Sequence, residues 1–203
     1  GVLLGLASFV LALVGTGAAR ADDGWEIRAF DVDLVINRDA SLDVTETIDA
    51  DFFVRKHGIL REIPIRYTVN MHQYALRVRL RGVDDGSSQN LETSVSYEDN
   101  LMKIRIGSPD FTVQGQHRYR IRYHVERAVL WEGNHAWGDK GDYAVLRWNA
   151  TGTEWQVPIG SSRTTVHLPR ELNDFELNAD AWTGRFNDAG KAFSKRLVDP
   201  TTL

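Results

Sequence analysis

The chain has 203 residues, 42% hydrophobic and 26% charged, with a formal net charge of −4 and no cysteine. That length and apolar content suffice for one domain with a real core, or two small ones, and exclude a disordered chain. The acidic balance argues against a nucleic-acid partner, and the lack of cysteine excludes disulfides, thiolate catalysis and a cysteine-linked lipid anchor.

The first element is the uncharged stretch from Val2 to Val14, closed by Ala19-Arg20-Ala21 ahead of Asp22-Asp23. An apolar helix followed by small residues where the peptidase reads them is the pattern of a secretory signal. Residues 1–21 therefore read as a signal peptide lacking its basic start, because the chain opens at Gly1 without Met, and cleavage is expected after Ala21. An uncleaved anchor helix is the alternative, since residues 1–19 fall just short of the roughly 20 that span a bilayer. No second long apolar run occurs before Leu203, so lasting membrane attachment is expected from segments outside this chain.

Beyond Asp22 the dominant period is two, which marks strands with one buried and one wet face. Phe30, Val32, Leu34 and Ile36 alternate with Ala29, Asp31, Asp33 and Val35; Asn37-Arg38-Asp39-Ala40 reads as a turn, and Leu42, Val44 and Ile48 return as the second strand of a hairpin. Further strands are expected over Ile59–Val69, Tyr74–Val83, Leu91–Tyr97, Leu101–Ile106, His117–Val125, Tyr143–Trp148, Trp155–Ile159 and Thr164–Leu168, with turn formers between them. Many short strands at this spacing, with no helical period after the leader, predict an antiparallel sandwich or barrel.

The densest unusual run is Phe52-Phe53-Val54-Arg55-Lys56-His57-Gly58-Ile59-Leu60-Arg61-Glu62-Ile63-Pro64, in which Arg61 and Glu62 suggest a local ion pair and Pro64 forces Ile63 to be extended. Preceded by Ser41-Leu42-Asp43-Val44-Thr45-Glu46-Thr47-Ile48, this run resembles the N-terminal region of the bacterial predicted-membrane-protein family known as domain of unknown function 2207, the YciQ-like proteins. The likeness continues through Ile104-Arg105-Ile106-Gly107, Gly115 to Tyr123, Leu146-Arg147-Trp148-Asn149, Gly152-Thr153-Glu154-Trp155 and Val166-His167-Leu168-Pro169. The resemblance implies an exported signal peptide, a β-rich ectodomain, then transmembrane helices and a variable tail, of which this chain would hold the first two. It implies no reaction and no catalytic residues.

Three other features could carry function. Arg77, Arg79 and Arg81, like Arg118, Arg120 and Arg122, each project from one face of a strand. If those strands are neighbours, Arg105 could join a cationic patch for phosphates; the alternative is a solvated face with arginines paired to carboxylates such as Glu92 or Glu126. Trp131 to Tyr143 is a polar, Gly-rich stretch whose Trp131, Trp137 and Asp139 suit a sugar-binding loop, or whose tryptophans close the core. Glu132, Asp139, Asp142 and Glu154 could supply an acid pair for glycoside hydrolysis, and Asp139 with Asp142 a calcium loop, but such pairs are common in any acidic domain. The six histidines show no metal-ligand spacing.

The expected molecule is all-β: an antiparallel β-sandwich ectodomain over residues 22–203, cut short at its C-terminal end, behind an N-terminal apolar signal helix over residues 1–21. It is expected on the extracytoplasmic face of a bacterial membrane, without catalytic residues, cofactor or metal, serving interaction or envelope assembly. An envelope protein, an anionic lipid or a glycan is the expected partner, and Trp131, Trp137, Asp139, Arg79 and Arg120 are the candidate binding residues. The alternative is a cell-envelope glycan-binding or glycoside hydrolase domain using the Trp131 to Tyr143 loop.

Overall fold

The computed structural model describes residues 5–13, 24–69, 72–87, 89–132, 143–170, 177–183, 194, 196 and 201–202. Among these residues every regular element is a strand. The largest sheet runs in the order β13 (Ser162–His167), β2 (Trp25–Ile36), β3 (Leu42–Lys56), β10 (Val113–Glu126), β7 (Arg77–Asp84). A three-stranded sheet has the order β4 (Ile59–Pro64), β9 (Leu101–Ile106), β8 (Thr93–Glu98). β5 (Arg66–Val69) pairs with β6 (His72–Ala75), and a fourth sheet joins β11 (Val129–Glu132), β12 (Tyr143–Trp148), β1 (Gly5–Leu13) and β14 (Leu177–Thr183).

The alternation read from the sequence is the alternation of burial. On β2, Phe30, Val32 and Leu34 are buried while Asp31 and Asp33 are exposed, and on β3 the even positions from Leu42 to Phe52 all face inward. The β2–β3 hairpin closes where Asn37 to Ala40 predicted it, with Ile36 opposite Leu42. Asp39 Oδ1 accepts from the Ser41 hydroxyl at 2.6 Å and the Ser41 amide at 3.1 Å, and these bonds hold the Asp39 carboxyl below its ordinary value. The inner face of the five-stranded sheet and Ile59, Ile63, Met102, Ile104 and Ile106 of the three-stranded sheet contribute to one buried cluster.

Several expectations need correction. The strand expected over Ile59–Val69 breaks at Ile65, just after Pro64, which lacks an N–H for the ladder. The one over Tyr74–Val83 breaks at Leu76, and the two breaks bond to each other, Leu76 N donating to Ile65 O at 2.8 Å. Trp155–Ile159 is no strand; Ile159 alone bridges Ile27, and Trp155 packs partly buried against the core. Pairing is mostly antiparallel, but β13 joins β2 in parallel and β1 joins β12 and β14 in parallel. Gly5–Leu13, expected as the helix of a signal segment, is a strand. A short uniformly apolar run carries no period that separates helix from strand, and here its backbone is satisfied by two neighbouring strands.

Gly58 and Gly107 fix the corner where β4 and β9 begin and end. Gly58 has φ +122 and a Cβ there would lie 1.9 Å from Ile106 O; Gly107 has φ +127 and its Cβ would lie 2.0 Å from His57 O. Each glycine thus allows a backbone approach that a side chain forbids. Gly58→Ala and Gly107→Ala are each expected to lower stability in urea unfolding by about 2–3 kcal/mol, and a neutral substitution at either position would show that the corner can relax.

Candidate functional site

Two places concentrate polar chemistry, one inside the protein and one on its largest face. Inside, Glu46 stands at an inward position of β3 and Arg61 at an inward position of β4, and they are 0% and 2% exposed. Arg61 Nε donates to Glu46 Oε2 and Arg61 Nη2 to Glu46 Oε1, both at 2.7 Å, a bidentate pair that ties the two sheets together through the core. Tyr123 of β10 donates its hydroxyl to Glu46 Oε1 at 2.6 Å. The remaining guanidinium donor, Nη1, reaches Glu62 O at 2.8 Å.

The segment after β12 closes this pocket. The Arg61 guanidinium lies 5.6 Å from the Phe30 ring centroid and 5.9 Å from that of Trp155. Trp155 is in turn fixed by donating its indole N–H to Thr151 O at 2.7 Å. Gly152 has φ +82, and a Cβ there would lie 2.2 Å from Arg61 Nη1. Burial by itself would pull the guanidinium down, but the facing carboxylate outweighs it and holds Arg61 above its ordinary value. Burial, with the Glu46 charge adding to it, pushes the Tyr123 phenol well above its own. Every charged atom here has a partner inside the protein, so the cluster is a buried structural joint.

The ion pair expected between Arg61 and Glu62 is not formed. Adjacent residues of a strand point to opposite faces, so Glu62 offers Arg61 only its carbonyl, while its carboxylate faces Lys103 at 3.8 Å. Asn149-Ala150-Thr151, which matches the glycosylation triplet, is part of the same closure, with Ala150 and Thr151 fully buried. The pair was legible in principle: Glu46 interrupts the apolar stripe Leu42, Val44, Ile48, and Arg61 stands between Ile59 and Ile63.

Outside, β10 and β7 are neighbours, so the two arginine triplets do share one face. They form a ladder with carboxylates. Arg118 makes a bidentate contact with Asp49 at 2.6 and 2.8 Å, and Arg79 meets Glu126 at 2.9 Å with Arg77 at 3.5 Å from the same group. Arg120 and Arg122 converge on Asp84, which is 1% exposed, at 2.9 and 2.7 Å. Neither Arg120 Nε nor Asp84 Oδ2 meets hydrogen-bond geometry, so these two are charge contacts, whereas the Gly86 amide bonds Asp84 Oδ1 at 2.8 Å. A bulge in β7, between the pairs Arg122↔Gly82 and Tyr123↔Leu80, produces this arrangement. It shifts the alternation so that Asp84 joins the outer face and Val83 the core. Burial raises the Asp84 carboxyl, but the Gly86 amide and the two arginines outweigh that and leave it below its ordinary value.

Arg105 lies on β9 of the other sheet and does not join the ladder, and Glu126 rather than Glu92 is the carboxylate that serves β7. Beside the ladder an open cleft of about 570 Å³ is floored by Ala29 and Ala50 and walled by Arg28, Asp85 and Arg118. Of the other candidate binding residues, Trp131 belongs to β11 opposite Ala144, and its side chain lies outside the described set. Trp137, Asp139 and Asp142 lie outside the described residues altogether. Glu154 is exposed and accepts from Thr153 Oγ1 at 3.0 Å.

Breaking the buried pair from one side leaves an uncompensated charge. Arg61→Met is expected to cost about 3–5 kcal/mol, Tyr123→Phe about 1.5–3 kcal/mol, and the double variant Glu46→Leu with Arg61→Met less than Arg61→Met alone. Denaturant titration of the three proteins checks this, and a double variant worse than the single one would show that the pair is not the unit. For Asp84, a folded pKa below the unfolded one means a contribution fully present above the ordinary carboxyl value near 3.9 and lost as pH falls through the lower folded value. Asp84→Asn is therefore expected to be less stable at neutral pH, with the difference shrinking below about pH 4; a constant difference across that range would remove Asp84 from the acid response.

A family model for the N-terminal domain of a predicted membrane protein (DUF2207) matches residues 26–198. An uncharacterised protein of Escherichia coli K12, YciQ, is 30% identical over 169 residues, which cover 80% of this chain and 25% of that protein. The chain thus spans about a quarter of the length of the curated relative it matches. Among solved structures, an M1 zinc metallopeptidase from Deinococcus radiodurans aligns with a TM-score of 0.39 at 12% identity, covering 71% of this chain and 33% of that one. Leukotriene A4 hydrolase from Saccharomyces cerevisiae aligns with a TM-score of 0.45 at 9% identity, covering 79% and 24%. Both scores are too low to equate folds, whereas the family match covers most of the sequence: the chain belongs to the family of the predicted membrane protein (DUF2207) N-terminal domain.

Proposed function

We propose that this chain is the extracytoplasmic domain of a membrane-anchored bacterial protein and that it works without catalysis, through interaction in the cell envelope. The observation that carries this reading is how the charges are spent. Glu46, Arg61 and Tyr123 satisfy one another inside the core, and Arg118, Arg120 and Arg122 are matched to Asp49 and Asp84 on the outer face. Catalysis needs a reactive group left accessible and incompletely satisfied, whereas a broad sheet face of matched charges suits recognition. The apolar stretch from Val2 to Val14 and the small residues Ala19 and Ala21 support export with cleavage after Ala21. Removal of that segment would also take away β1, leaving β12 and β14 without their shared neighbour.

Alkaline phosphatase is active only after export, so a fusion following Leu203 in the natural host is expected to be active, and Edman sequencing of the exported fusion to begin at Asp22. An inactive fusion would overturn the location, and an exported chain still beginning at or before Gly1 would overturn the cleavage.

A further inference from the structure

The five-stranded sheet stops one strand short of the sheet that faces it. On β9, Met102 and Ile104 are both 0% exposed. One strand further out, their partners on β8 are Tyr97 and Val95, on the same inward-facing side, yet they are 58% and 38% exposed. The difference has a simple cause: the five-stranded sheet ends at β7, and among the described residues no strand pairs with the outer edge of either β7 or β8. Val78 O points out from that edge of β7 and, among the described residues, accepts only the Tyr97 hydroxyl, at a long 3.5 Å. At its other end the β7 edge is already closed, by Leu91 N donating to Val83 O at 3.0 Å and by the Asp84↔Asn90 bridge. Among the described residues the open stretch is therefore Arg77 to Arg81.

The side chains flanking this edge state what would complete it. Arg77 and Arg79, 68% and 62% exposed, share the single carboxylate of Glu126. Arg81, exposed at the bulge, makes no close ion pair among the described residues, although its charge helps to hold the Asp43 carboxyl of β3 below its ordinary value. A strand laid along Arg77 to Arg81 would turn alternate side chains toward Val95 and Tyr97 on one side and toward these arginines on the other. Native sheets usually protect an exposed edge with an inward charge, a proline or a covering segment. Here the inward positions next to the edge are apolar and the charge faces outward, with cations in excess.

We propose that the β7 edge is a strand-acceptor site: it takes an extended segment of a partner protein, with alternating apolar and acidic side chains, as a sixth strand. This rests on the reading of the domain as an interaction module and names the surface and the chemistry of its partner. The cationic rail selects an acidic outer face and rejects a basic one.

The test uses the full chain and a fluorescent peptide of about eight residues alternating valine and glutamate, the length a single edge can pair, read by polarisation. The expected result is saturable binding, at least tenfold weaker for the matching valine–lysine peptide and for a valine–glutamate peptide N-methylated at alternate residues. Val95→Ser with Tyr97→Ser, both at exposed positions, should weaken it at least tenfold while circular dichroism stays unchanged. Arg79→Ser with Arg81→Ser should remove most of its salt dependence. No saturable binding, equal binding of the N-methylated peptide, equal binding of the basic peptide, or no effect of the Val95 and Tyr97 substitutions would each overturn the proposal. Self-association of the chain through Tyr97 in place of peptide binding would overturn it too. None of these outcomes depends on where the phosphatase fusion places the domain, so the edge and the location fail separately.

Discussion

The bidentate contact between Arg61 and Glu46 is the constraint on which the two facing sheets depend. A buried ion pair is not stabilising by default, because removing two charges from water costs several kcal/mol each, and only close geometry with all remaining donors satisfied offsets that cost. Here the geometry meets that condition: two bonds of 2.7 Å between the charges, a 2.6 Å bond from Tyr123, and the Glu62 carbonyl on the last nitrogen. An apolar pair could fill the space, but it would not fix how the sheets lie against each other. A guanidinium donates to a carboxylate in one plane and over a narrow range of distance, which ties the position of β4 to that of β3.

Four stretches that are distant in sequence supply this joint. Glu46 comes from the strand after the first hairpin, Arg61 from the run ending at Pro64, Tyr123 from the arginine-rich strand, and Gly152 and Trp155 from the segment after β12. These are also the stretches on which the family likeness rests. Gly152 is needed because only a residue without Cβ leaves room for the guanidinium, and Trp155 lids it with an aromatic face that attracts the cation. Four of the motifs that carry the family likeness thus meet at one buried pocket.

The outer face follows a different rule. Its charges are half in water, where single ion pairs contribute little, and their value lies in matching one column of cations on β10 to acids on both sides. That matching required the β7 bulge, without which Asp84 would point into the core and Arg120 and Arg122 would lack their shared partner. The same sheet ends abruptly at β7. Toward β3 the ladder is closed by Asp49; at the β7 edge, with which no other strand pairs among the described residues, Arg77 and Arg79 share one carboxylate, and Val95 and Tyr97 of the opposite sheet are exposed.

Much of the fold could be read from residue order because burial on a sheet has the strict period of two. The stripe Phe30, Val32, Leu34, Ile36, the turn at Asn37 to Ala40, and the strands at Leu101–Ile106 and Tyr143–Trp148 all stand where alternation and turn chemistry put them. Spacing along a strand likewise puts Arg77 and Arg79 on one side. What it could not determine was everything that depends on which strand lies beside which. The neighbourhood of β10 and β7, the bulge that turns Asp84 outward, the strand conformation of Gly5–Leu13 and the meeting of Glu46 with Arg61 are all contacts between residues remote in sequence. Periodicity reports which side of a strand faces the core; which strand lies beside it depends on contacts between remote residues, because pairing acts between strands and leaves no trace in the spacing along one.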